Sequence, residues 1–160
     1  MCRTRVVQVV VGLCLVCLGW VSFVGAQSDR PDVETAALEE KVARFFEEVS
    51  AGTTQNAYQQ LLAGSSLLKE KEALKTLAEK TAELKDKYGE YRRPEKIVGK
   101  RVGVDVVLLK YLYKCERFPV VWHVTFYRPP PRGADGGVET GGNWEVIAVR
   151  FDTDLESLAR

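Results

Sequence analysis

The chain has 160 residues, 46% hydrophobic and 28% charged, with 23 Lys and Arg against 22 Asp and Glu. A formal charge of +1 argues against a dedicated nucleic-acid binder, because neutralising phosphates takes a clustered excess of cations. The length suits one domain that buries roughly two-thirds of its unfolded surface and needs no disulfide staples.

Arg3 and Arg5 precede an apolar run from Val6 to Val24 in which Gln8 and Ser22 are the strongly polar residues, and Gly25 and Ala26 follow. A charged start, an apolar middle and a small-residue end describe a signal peptide helix over 1–26, cut after Ala26, that sends the chain to the periplasm or the exterior. The competing reading is an uncleaved membrane anchor over residues 6–24, since a spanning helix needs roughly 20 apolar residues. Val16 before Cys17 disfavours lipidation. Cleavage removes Arg3 and Arg5 and leaves a nearly neutral chain. It also removes Cys2, Cys14 and Cys17, so Cys115 has no intramolecular partner and is expected to be buried as a small hydrophobe.

Residues 27–32 are polar, contain Pro31, and read as a linker; the domain proper is expected over 33–160. Leu38, Val42, Phe45, Phe46 and Val49 form a helical stripe that predicts a first helix over 33–50, stopped at Gly52. Thr53 is placed to cap a short second helix carrying Ala57, Tyr58, Leu61 and Leu62 and ending at Gly64. Leu67, Leu74, Leu77, Thr81, Leu84 and Tyr88 keep the same period among Lys and Glu residues, which predicts a third helix with one buried face and a solvated charged one, ended by Gly89.

After Pro94 the period changes. Ile97–Val102, Val104–Lys114, Val120–Arg128 and Trp144–Asp152 are rich in β-branched and aromatic residues and read as strands. Helices first and consecutive strands after imply an α+β fold, with three N-terminal helices packed on a curved four-stranded antiparallel sheet. The segment between Pro129 and Asn143, with three prolines and five glycines, reads as an exposed loop.

Alternation sorts the third strand into an apolar face, Val120, Trp122, Val124 and Phe126, and a mixed face, Val121, His123, Thr125 and Tyr127. In the second strand Val107, Leu109, Tyr111 and Tyr113 oppose Val106, Leu108, Lys110, Leu112 and Lys114. His123 is the only His, so general acid–base chemistry would start there, with Asp105 on the adjacent strand as the acid that orients it. Packing is the simpler role for a lone strand His. The chain has no nucleophile elbow, no phosphate-cradling glycine turn before a helix and no His/Cys cluster for a metal, and no cofactor is implied.

Phe45 and Phe46, then Gly52 with Ala57, Tyr58, Leu61 and Leu62, and finally Trp144, Glu145 and Val146 opening the last strand, resemble the nuclear transport factor 2-like superfamily, and specifically its secreted bacterial branches. The resemblance covers about residues 33–155 and implies a cone-shaped α+β fold with a concave pocket. The early strands usual between the second and third helices are absent, since Ala63–Lys69 is too short for a hairpin. Tyr111, Tyr113, His123, Thr125 and Tyr127 are the candidate lining of an apolar ligand pocket, with core packing as the competing role for the aromatics. A strand apolar on both sides needs cover on both sides, which predicts a homodimer through the sheet face.

The resulting expectation is an exported, non-enzymatic domain that binds a small apolar ligand or a protein. The alternatives are a dehydratase, isomerase or hydrolase working through His123 with Asp105, and a structural module held at the membrane by residues 6–24.

Overall fold

The computed structural model describes residues 33–130 and 142–158. The signal segment, the linker and most of the Pro/Gly loop lie outside the described residues. Helix α1 spans Val33–Ser50 and α2 Thr54–Leu61; a 3₁₀ turn at Ser66–Lys69 leads into α3, Lys71–Tyr88. Strands β1 (Tyr91–Val102), β2 (Val106–Cys115), β3 (Val120–Tyr127) and β4 (Glu145–Asp152) follow, and a 3₁₀ turn closes the chain at Leu155–Leu158. The sheet is antiparallel throughout in the order β1-β2-β3-β4, as short consecutive connections require.

The helical stripes fall where the periodicity put them. Leu38, Val42, Phe45, Phe46 and Val49 are buried on α1, and Ala57, Tyr58 and Leu61 on α2. They meet Val107, Leu109, Tyr111 and Tyr113 of β2 and Val120, Trp122, Val124 and Phe126 of β3 in one apolar cluster. Phe46 sits at its centre, its ring 5.4 Å from Tyr111 and Tyr113 and 5.6 Å from Trp122, in the tilted and edge-on arrangements that aromatic quadrupoles favour. Inside this cluster Tyr58 and Thr81 share a 2.9 Å hydrogen bond that joins α2 to α3.

Several local expectations are corrected. The third helix is divided: Ser65 caps a separate 3₁₀ turn by accepting the Leu67 N–H at 3.1 Å, and its hydroxyl donates to the Val146 carbonyl of β4. Thr53 holds the N-cap position of α2, but its hydroxyl donates backwards to the Glu48 carbonyl at 3.0 Å instead of accepting a helix N–H. Strand β1 starts at Tyr91, six residues before the apolar signal at Ile97, and runs straight through Pro94. Pro94 is tolerated because β1 pairs with β2 alone and one side of its backbone carries no ladder. Cys115 is half-buried, not buried, because it ends β2 at the margin of the helical layer.

Two junctions fix the layers. At one end of the sheet Glu34, in the first turn of α1, accepts from Arg128 at 2.9 Å and Arg101 at 3.1 Å, while both guanidinium groups lie over the Trp144 ring. At the other end Gly89 turns the chain from α3 into β1 with φ 88° and ψ −177°, a region open almost only to glycine. A Cβ at Gly89 would stand 2.9 Å from Glu116 Cβ, so the close approach of the β2–β3 turn depends on this residue as well.

Candidate functional site

The strand register sorts the expected pocket residues onto opposite sides of the sheet. Tyr111 and Tyr113 point into the helical layer and are 6% and 4% exposed. His123, Thr125 and Tyr127 face the other way, among partly exposed neighbours. These five side chains therefore do not line one pocket. Where a cavity above Tyr111 was expected, Phe46 and Trp122 fill the space.

His123 and Asp105 are likewise not brought together. Asp105 sits in the β1–β2 turn, where its carbonyl accepts the Arg128 N–H at 2.8 Å and its carboxylate is 3.9 Å from Arg128 Nε. His123 pairs with Lys110, five residues further along β2, which separates the two groups by about 17 Å of strand. The acid beside the ring is Asp152 of β4, with Nε2 3.6 Å from its carboxylate, too long for a hydrogen bond. Lys110 and Arg150 are its cross-strand neighbours. Partial burial, then the Arg150 charge, holds the imidazole below its ordinary pKa, and Asp152 offsets only part of this.

Cross-strand pairing builds the uncovered face of the sheet row by row. Val102, Val106, Tyr127 and Glu145 form the first row; Lys100, Leu108, Thr125 and Ala148 the second; Val98, Lys110, His123 and Arg150 the third; Glu95, Leu112, Val121 and Asp152 the fourth. Val98, Val102 and Leu108 on these rows are 36–45% exposed, whereas Val121 in the fourth row is fully buried. The apolar strip is flanked by cations in the second and third rows and by acids in the first and fourth. An apolar strip between mixed charges suits association with a surface of similar design.

A second feature lies on the helix side, where sequence patterns gave no signal. The ends of α1 and α3, the start of α2 and the margins of β1 and β2 enclose a cleft of about 150 Å³. Its lining includes Thr54, Tyr91, Tyr113 and Cys115, drawn from distant parts of the chain. Burial raises the Cys115 thiol above its usual pKa, so the thiolate needed for nucleophilic chemistry is scarce at neutral pH. Among the described residues no group of three or more His, Cys, Asp and Glu could hold a metal ion, and no helix is long and apolar enough to cross a membrane.

No family model, curated protein or solved structure matches the chain.

Proposed function

We propose that the chain is an exported, non-catalytic binding module that works as a homodimer closed through the uncovered face of its sheet. The observation that carries this reading is the two-sidedness of β2. Val107, Leu109, Tyr111 and Tyr113 are sealed by helices, whereas Leu108 on the reverse is 37% exposed beside Val98 and Val102. Burying such a strip against a second copy removes apolar area from water, and the cation rows in the middle with acid rows at either end allow each copy to offer opposite charges to the other. Order and length of the elements, three helices and then four antiparallel strands, also support placing the fold near the nuclear transport factor 2-like superfamily. Export is carried by the character of residues 1–26, and N-terminal sequencing that begins at Gln27 tests it. Among the described residues, catalysis through His123 has no acid within hydrogen-bond reach to support it, Asp152 standing 3.6 Å away.

Sedimentation velocity tests the assembly. The secreted protein is expected to sediment as a dimer at high micromolar concentration, and Leu108→Asp, which places a carboxylate in the middle of the strip, is expected to make it a monomer. A monomeric wild type at that concentration refutes the reading.

A further inference from the structure

We propose that the cleft at the α1–α2–α3 junction is a binding site for a neutral, ring-sized molecule that carries one hydrogen-bonding oxygen, such as a phenol. Its size sets the first limit. A volume of about 150 Å³ is that of an apolar protein cavity able to hold a benzene ring. Its walls set the second: Val49 and Leu84 are apolar, and Tyr91 and Tyr113 are stacked with centroids 4.4 Å apart, giving a flat aromatic side.

Two hydroxyl side chains of largely buried residues line the cleft without a protein partner. Tyr113 is 4% exposed and Thr54 7%, both line the cleft, and neither hydroxyl has a hydrogen-bond partner among the described residues. Of the other hydroxyls in the lining, Thr81 is already committed to Tyr58 and to the Leu77 carbonyl, Ser50 donates to the Glu47 carbonyl, and Tyr91 is half-buried at the margin. Neither the Thr54 nor the Tyr113 oxygen is sealed from water, so each is open to a polar atom of a guest that takes the place of solvent. Charge selects against ions: Lys85 and Glu90 at the rim pair with each other at 2.9 Å. Burial raises the Tyr113 phenol well above its ordinary pKa, which keeps it protonated and able to donate.

This site is separate from the sheet face, so its test does not depend on the dimer. Phenol and benzene are titrated into the ¹⁵N-labelled protein, and backbone shifts of Gly52, Ala82, Gly89 and Cys115 are followed. Phenol is expected to saturate, and benzene to bind about fivefold more weakly for lack of the oxygen. In Tyr113→Phe, which keeps the ring, the two ligands are expected to bind alike. Ala82→Leu, a change at an exposed rim position that the fold tolerates, is expected to weaken both at least tenfold by occupying the cleft. Absence of saturation, equal affinity of phenol and benzene for the wild type, or affinities unaffected by Ala82→Leu would each overturn the assignment.

Discussion

The buried hydrogen bond between Tyr58 and Thr81 offers a sharp test of how the helical layer is held. Both side chains are 2% exposed, and the hydroxyls are 2.9 Å apart. Thr81 also donates to the Leu77 carbonyl at 2.8 Å, so its proton is engaged within α3 and its oxygen accepts the Tyr58 O–H. The two partners are therefore not equivalent. Tyr58→Phe removes a donor and leaves Thr81 still bonded to Leu77, which should cost about 1 kcal/mol, the net value of a typical hydrogen bond. Thr81→Val keeps the volume but strands the Tyr58 O–H in a dry site, and should cost about 1–3 kcal/mol, the desolvation penalty of an unmet donor. In the double variant the orphan disappears with its partner, so the loss should fall back to about 1 kcal/mol. The double variant is thus expected to be more stable than Thr81→Val alone. Urea unfolding of the four proteins at one fixed protein concentration measures this cycle, the concentration being held constant because association shifts apparent stability. Losses that add to within about 0.3 kcal/mol would mean that the two groups do not interact, and would refute the argument.

Two further outcomes follow from the geometry. Gly89→Ala, which forces a side chain into a glycine-only backbone region and against Glu116, should cost about 2–3 kcal/mol, whereas Gly64→Ala, at φ 86° with open space around its Cβ, should cost about 1; thermal melts that rank them the other way contradict this account. The folded chain resists protonation of His123 more than the unfolded chain does, where the ring titrates near 6.5. Its contribution is therefore complete above that value and is lost as pH falls from about 6.5 toward the lower folded-state pKa. His123→Gln should flatten that limb of the stability profile, and a wild type that gains stability over the same interval relative to the variant would contradict the reading.

Much of the architecture was legible because burial follows local period. The stripe from Leu38 to Val49 and the alternation from Val120 to Tyr127 are both local patterns, and both predict which side chains the structure buries. What escaped was set by neighbours. Arg92, Arg93, Glu95 and Lys96 carry no strand signal, yet they belong to β1 because β2 supplies a ladder for them. The acid nearest His123 is Asp152, delivered by β4 from across a long loop, while Asp105 is closer in sequence and lies at the wrong height along its strand. Sequence distance says little about register. The grouping of Tyr111 and Tyr113 with His123 and Thr125 failed for a related reason: two-fold alternation separates faces within a strand, and the pairing Tyr111 with Trp122 decides which faces coincide between strands. The cleft beside Cys115 had no local signature because five separate elements contribute to it.

The irregularities of the outer strands bear on how this protein can associate. Strand β1 breaks register between Tyr91 and Arg93 and again between Lys96 and Val98, carries Pro94 between them, and is strongly cationic, with Arg92, Arg93, Lys96, Lys100 and Arg101 against Glu95; β4 is bulged at Ile147. A ribbon interrupted in this way makes a poor template for an incoming strand from another molecule, so end-on lengthening of the sheet into fibrils is disfavoured at both margins. Contact through the broad surface, as proposed above, would close on itself after two molecules. The same kinks that distort the ladder thereby disfavour open-ended growth, a useful property for a chain rich in β-branched residues.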